Sequence, residues 1–476
     1  MAQPASERVD WRDLWTNGDL ARFCFISLGI LLHATNETMV ATVMPAMVSE
    51  LSGVELIGWS LAIYELGAIV SGAAAGRLVS YVSLRTNMVA AAVIFAIGAL
   101  ICATAVSMPM FLVGRLIEGV GGGALVSLAF VTVERLFPAR IWPQLFGIIS
   151  AIWGVAAFSG PLIGAAIVHF LSWRWAFGIF TLIALGMALA CNLVLNSPEA
   201  RRRVPSLEAL PPFPYMTLAV LGVAVLFIAS AGVNIELLRS TVLLALGLLG
   251  LVAFFQLDRR NPRTHLFPSR MFDARTTLGR GMIMVGAFSI STCSLAIYGP
   301  LLLTTLHDVS LLMTGFIIAS ESIAWSIMSM LVANAGPRRE PFLILAGALM
   351  ITAGIAGFAF AIPNGSLALV LGCAILQGGG FGIAWPFFTR IIVSSAMPTE
   401  RTIAASAVPT LQRIGYATGS ALAGIVANVA GFSIGLDRAT AATVAPVVFL
   451  AFLPLAFVGV SMAVALVASL PRDKPA

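Results

Sequence analysis

The sequence predicts an all-α polytopic membrane protein with fourteen transmembrane helices. Three observations predict it: an excess of apolar residues, their division into runs of about twenty, and the placing of arginines between the runs. Of 476 residues, 59% are hydrophobic and 10% charged, with a mean hydropathy of +0.99. Soluble globular chains are roughly half apolar and about a quarter charged. An apolar run of about twenty residues, rising 1.5 Å per residue, spans a ~30 Å hydrocarbon core.

The spans fall in order at 22–47, 55–82, 86–106, 109–136, 143–171, 174–196, 213–232, 239–258, 277–304, 310–334, 341–362, 366–394, 402–432 and 445–470. Ser83-Leu84-Arg85 parts the second from the third, and Pro138-Ala139-Arg140 the fourth from the fifth. Pro363-Asn364-Gly365 and Pro398-Thr399-Glu400 bound the twelfth. Such polar and Pro/Gly clusters mark turns. An even count puts both termini on one side. With the N-terminus inside, the inner segments hold 22 of the 27 basic residues, among them Arg8, Arg12, Arg77, Arg85, Arg201–Arg203 and Lys474. The outer loops hold only Arg174, Arg239 and Arg438, while Arg115 and Arg413 stay within spans. Basic residues collect on the cytoplasmic face, so both termini are expected there, in the inner (plasma) membrane.

The formal charge of +6 belongs to those inter-span clusters, where lipid headgroups rather than nucleic acid meet it. The five cysteines lie in or beside apolar runs without a CxxC pair, and read as packing residues. No HExxH pair or clustered His/Cys/Asp set is present, so neither a metal nor an enzyme is expected. The first twenty residues lack the apolar stretch of a cleaved signal.

The chain repeats itself. Glu118 to Gly123 in the fourth span aligns with Gln377 to Gly382 in the twelfth, and the same offset pairs Gly160 with Gly419 and Ala165 with Gly424. Two six-helix halves with shared motifs form the parallel repeat of a transporter that rocks about a central site. The expected division is residues 1–200, a linker-bounded transmembrane hairpin in 201–276, and 277–476.

Four stretches resemble the fourteen-helix drug:proton antiporter branch of the major facilitator superfamily. Asn36-Glu37-Thr38-Met39-Val40 through Pro45 is similar to its first-helix motif, with Asn36 at the usual Asp position and the acid moved to Glu37. Gly76-Arg77-Leu78 through Arg85 is similar to the cytoplasmic loop motif, with Ser80 for its Asp and Ser83 for its second Gly. Gly114-Arg115-Leu116-Ile117-Glu118-Gly119 resembles the motif whose Arg is linked to proton transfer, Glu118 standing for its Gln. Gly154 through Gly160-Pro161-Leu162-Ile163-Gly164 resembles the motif that separates exporters from importers. The resemblance implies the major facilitator fold and a monomeric, proton-coupled multidrug-efflux antiporter, driven by the proton gradient without a cofactor. Its substrate would be a small lipophilic molecule. The alternatives are a dedicated exporter of one lipid or metabolite, or a membrane protein without transport.

Coupling requires an ionisable group in a low-dielectric site, and intramembrane acids are costly enough to need a reason. Four acids lie well inside spans: Glu37, Glu65, Glu118 and Glu321. At 1.5 Å per residue, Glu37, Glu65, Arg115 and Glu118 share a layer about 9–15 Å from the outer ends. Arg115 and Glu118 share a helix face, as do His33 and Glu37. One arginine cannot neutralise three carboxylates, so at least one acid is expected to hold a proton, Glu37 first and Glu65 next. Glu118 reads as the partner of Arg115, and His33 as a packing residue or relay. Glu321, Trp325, Trp153, Tyr298, Trp385 and Tyr64 are candidates for the substrate cavity. Arg413 reads as an anchor to backbone carbonyls. Gly76, Gly119, Gly123, Gly154, Gly160 and Gly164 let helices approach closely, Pro161 kinks the fifth span, and Arg85 belongs with the gating loop.

Overall fold

The computed structural model describes residues 19–51, 53, 56–195, 212–233, 235–261, 263–432 and 437–470, and no strand occurs among them. Arg8, Arg12, Arg201–Arg203, Arg472 and Lys474, which entered the charge argument, lie outside the described residues. Six helices come first: α1 (Asp19–Leu51), α2 (Ile57–Tyr81), α3 (Leu84–Ala103), α4 (Met108–Leu136), α5 (Trp142–Phe170) and α6 (Trp173–Val194). A hairpin follows, α7 (Tyr215–Gly232) and α8 (Leu237–Arg260). The remainder is α9a (Thr277–Ser291), α9b (Cys293–His307), α10 (Leu311–Val332), α11 (Glu340–Asn364), α12 (Leu367–Ser395), α13 (Arg401–Val429), α14a (Arg438–Leu450) and α14b (Leu453–Ala468).

These make fourteen rods, each helix pair α9a/α9b and α14a/α14b running on as one apolar stretch. Twelve are long and apolar enough to cross a membrane; α1 and α13 fall outside that set. For α13 the cause is local, because it carries Gln412 and Arg413.

Local chemistry explains the interruptions. At the α9 joint, the Thr292 hydroxyl donates to the Phe288 carbonyl at 2.9 Å, a back-bond that bends helices. At the α14 joint, Pro454 opens α14b with no N–H to continue the ladder. The last rod begins seven residues before the expected position 445, since Asp437 caps α14a by accepting from Thr440 N at 2.7 Å. The polar start of α14a, with Arg438, Thr440 and Thr443, hid that turn from a hydropathy reading.

In the first six helices α4 packs on α2 and α3, α1 on α5, and α3 on α6. Among the last six, α12 packs on α10 and α11, α9a on α13, and α11 on α14a and α14b. Two seams join the groups, α2 and α4 against α13, and α5 against α10. The α2–α13 seam is sealed toward the end where α1 begins. Gly76 abuts Ser406 and the Thr402 carbonyl, Gly72 lies against Thr410, and the Thr402 hydroxyl donates to Glu134 at 3.0 Å. On the other seam the Ser326 hydroxyl donates to the Ser150 carbonyl at 3.0 Å, and Gln144 to Asn334 at 3.2 Å. The hairpin covers one seam only, α7 lying on both α2 and α13. Past α8, Asp258 accepts from the Leu266 and Phe267 amides at 2.9 and 3.1 Å. There Arg77 of α2 donates to the Arg263 carbonyl, and the Ser269 amide to Glu400 at 3.4 Å.

Candidate functional site

Two polar groups sit side by side between the helices. The inner one is sealed: Asn36, Arg115 and Glu118 are each 0% exposed. Arg115 Nη1 donates to Asn36 Oδ1 and to Glu118 Oε2, both at 2.6 Å. Asn36 Nδ2 donates to Glu118 Oε1 at 2.8 Å, closing the triangle. The guanidinium carbon lies 4.0 Å from the centre of the Tyr64 ring, a cation–π contact within the usual ~6 Å. The helices come this close because Gly98 of α3 packs on the Glu118 backbone and Gly119 of α4 on the Tyr64 carbonyl. Arg115 Nε and Nη2 are buried without a partner.

The outer group is reachable. Glu37 and Glu65 keep 30% and 25% of their side-chain surface exposed, and Arg413 keeps 11%. Arg413 of α13 donates through Nη1 to both Glu65 oxygens, at 2.6 and 2.8 Å. Its Nη2 reaches Glu37 Oε2 at 3.2 Å and makes a short contact with His33 Nε2. His33 Nδ1 lies 2.6 Å from the Tyr64 hydroxyl. Guanidinium N–H only donates, so Nε2 must accept, and in the neutral ring Nδ1–H then donates to the Tyr64 oxygen. His33 Nε2 and Glu37 are 3.4 Å apart, beyond a well-formed bond. Tyr64 therefore joins the groups, its ring under Arg115 and its hydroxyl on His33. Gly122 makes that possible, since a Cβ there would strike His33 Nδ1 and meet the Tyr64 hydroxyl at 2.9 Å.

The expected layer of Glu37, Glu65, Arg115, Glu118, His33 and Tyr64 is thus one connected assembly, with one correction. Arg413 is no anchor to carbonyls: it holds two carboxylates and a histidine. The assembly therefore has two arginines for three acids, with Glu37 the least tightly held. Counted from the outer end as the others were, Arg413 lies about 28 Å down the thirteenth span, outside their layer. Asn36 was legible, because Asn36 and Glu118 depart from their motifs in complementary ways. Where an acid and an amide are usual, this chain has an amide and an acid.

The other candidates are distributed. Trp153 joins the outer group, its ring 5.6 Å from the Arg413 guanidinium and 5.9 Å from His33. Trp325 stacks on Phe381 at 4.6 Å and lies 5.5 Å from Trp385. Trp385 is buried, as is Tyr298, which packs edge-on against Phe432 at 5.4 Å in a separate apolar cluster. Both are buried in helix packing. Glu321 accepts from Gln377 Nε2 at 2.8 Å. Arg85 bonds Asn192, not an acid. Among the described residues no group of three His, Cys, Asp or Glu could hold a metal.

The α5 glycines press on α1 and α10. Gly154 abuts Ser326, Gly160 abuts Thr38, and Gly164 abuts Thr42 and Met39. The Thr38 hydroxyl donates to the Ala156 carbonyl at 3.0 Å, just before Pro161, which the helix runs through. Any side chain at Gly160 would strike Thr38 and meet the Thr35 carbonyl at 3.1 Å. Gly160→Leu is expected to cost about 1–3 kcal/mol of overpacking and to slow transport strongly in a protein that still elutes as a folded species. Wild-type transport by that variant would refute the close-packing role.

The sequence profile of the Major Facilitator Superfamily matches residues 26–333. A probable multidrug-efflux transporter of Mycobacterium tuberculosis is 30% identical over 448 residues, covering 90% of this chain and 92% of that protein. Multidrug resistance protein 3 of Bacillus subtilis is 25% identical over 409 residues, covering 84% and 78%. Among solved structures, the human organic anion transporter MFSD10 superposes with a TM-score of 0.66 at 17% identity, covering 93% of this chain and 98% of that one. The proton:xylose symporter XylE gives 0.64 at 16%, covering 95% and 96%.

Proposed function

The chain belongs to the major facilitator superfamily, and from that premise we propose that it exports small hydrophobic or amphipathic compounds in exchange for protons, by alternating access. The observation that carries this reading is the sharing of Arg413 between Glu65 and Glu37. One cation from α13 faces two partly exposed carboxylates from α1 and α2, and Glu37 has only a single 3.2 Å contact with it. A proton or a cationic substrate group on Glu37 removes its claim on Arg413, which tightens or loosens the bond across the seam. A coupling of this kind is worth about 1–3 kcal/mol in typical cases.

The packing supports alternation. Contacts at Gly72, Gly76 and Thr402 close the end where α1 begins, while Glu37 and Glu65 remain accessible. Substrate would meet Trp153 beside the acids, with Trp325 on the facing half. One bacterial relative is named for multidrug efflux and the other for multidrug resistance, which favours a broad lipophilic substrate range. The excess of arginine in the inner segments supports cytoplasmic termini in a plasma membrane; a reporter inserted at Asp437 should then read as external.

The test is transport by the purified protein in proteoliposomes under an imposed pH gradient, with a panel of lipophilic cations and neutral amphipaths. Uphill movement of at least one compound, abolished by collapsing the gradient, is expected. Movement indifferent to the gradient would refute proton exchange.

A further inference from the structure

The glycine contacts fix the internal repeat to the residue. In the first half a Cβ on Gly119 would strike the Tyr64 carbonyl, and one on Gly123 the Ala68 carbonyl. In the second half Gly378 meets the Glu321 carbonyl and Gly382 the Trp325 carbonyl. Gly98 packs on Glu118 as Gly354 packs on Gln377, and Gly121 meets Phe95 N and Ala91 O as Gly380 meets Ile351 N and Gly347 O. Every pair obeys one register, in which Glu321 stands where Tyr64 stands and Gln377 where Glu118 stands. The same register puts Ala374 at the place of Arg115.

That substitution changes the electrostatics. In the first half the acid on α4 has a fixed counter-ion three residues away. In the second half the acid has moved to α10, the amide is on α12, and the arginine is gone. Gln377 holds Glu321 Oε1 at 2.8 Å, and among the described residues Glu321 makes no ion pair. Among the described residues no cation is bonded to it. From α9b Cys293 faces it and from α13 Tyr416, with Arg413 one turn before Tyr416 but committed to Glu65 and Glu37. The only ionisable side chain of α5 is His169, in its last turn, and α12 carries Arg390 more than three turns beyond Gln377. Yet Glu321 is half-buried and not sealed. A carboxylate inside a membrane bundle, without a fixed partner, needs a mobile one.

We propose that Glu321 is a second proton-exchanging carboxylate, held by Gln377, so that each half of the protein carries one exchangeable proton. Read from the sequence Glu321 belonged to the substrate cavity; its place in the repeat, lacking the arginine, assigns it the proton instead. This rests on the proton-exchange reading above. It makes the exchange of a monovalent cation for two protons electrogenic.

The test counts protons without needing a substrate. The full-length protein in detergent, lightly buffered with a pH-sensitive dye, is stepped from mildly acidic to mildly alkaline pH. Release is compared for the wild type, Glu37→Gln and Glu321→Gln. Gln at 321 keeps the hydrogen bond to Gln377, so thermal unfolding should be unchanged and a folding defect is separable. Expected is one proton fewer in each single variant and two fewer in the double. A loss in Glu37→Gln alone would overturn the second site and leave the proposed exchange intact. No loss in either variant would overturn both. As an independent readout, carbodiimide, which modifies protonated carboxyls in apolar surroundings, should label Glu321 in the Glu37→Gln protein. A Glu321 peptide unmodified at every pH also counts against the proposal.

Discussion

Glu37→Gln is expected to reduce gradient-driven efflux to the background of protein-free vesicles while leaving substrate binding within a few-fold of wild type. Gln keeps the shape of the side chain and can still accept from Arg413, so the 3.2 Å contact has a neutral replacement. What it loses is the ability to take and give a proton. Under the proposed exchange, proton and substrate compete at this acid, so binding should weaken as pH falls, and by linkage substrate should expel a proton. A coupling of about 1–3 kcal/mol corresponds to a 5–150-fold change in affinity between the two states. The variant should lose most of that dependence. Binding titrations at several pH values, with efflux measured on the same preparations, check both halves. Uphill efflux at the wild-type rate would move the assignment to Glu65 or Glu118, to be decided by the same substitutions there.

The second large effect concerns the sealed triangle. Glu118→Gln removes the only carboxylate bonded to Arg115 among the described residues, and leaves a fully buried guanidinium with amides alone. Breaking a buried ion pair from one side costs about 3–5 kcal/mol. Asn36→Asp alone is harmful for the opposite reason, since it sets two carboxylates where Asn36 Nδ2 now bonds Glu118 at 2.8 Å. Made together, the two changes exchange acid and amide between α1 and α4. Arg115 Nη1 then keeps one charged and one neutral acceptor, its 2.6 Å partners merely trading identity. The double variant is expected to regain most of the stability lost in either single one, measured by thermal unfolding in detergent, and to regain transport. A double variant no more stable than its parents would show that the triangle is not the unit described here.

Much of this was legible in the sequence because period and length carry it. Apolar runs set the rods, and the three- and four-residue spacings of Arg115/Glu118 and His33/Glu37 set shared faces. Partners across helices were not legible in the same way. Glu65 and Arg413 are 348 residues apart, and no local pattern says that α13 turns its arginine toward α2. The depth count puts Arg413 outside the layer of the acids, so it found one arginine where there are two. Tyr298 and Trp385 could not be told from cavity residues, because aromatic side chains in a bundle pack in both settings. The start of α14a was lost to its threonines and Arg438, which a hydropathy window penalises and an Asp437 cap supports.

The hairpin of α7 and α8 makes the molecule unequal toward its surroundings. It backs the α2–α13 seam with protein, whereas among the described residues no additional helix lies over α5 and α10. Under the proposed alternation, α2 and α13 would slide beneath that cover, and α5 and α10 past acyl chains. Annular lipid would then act on the motion from one flank. A mismatch between helix length and bilayer thickness costs fractions of a kcal/mol per ångström, and here it falls on a single hinge line. In that reading membrane thickness and chain order bias the balance between the two open states as a torque about the covered seam, not as a uniform squeeze.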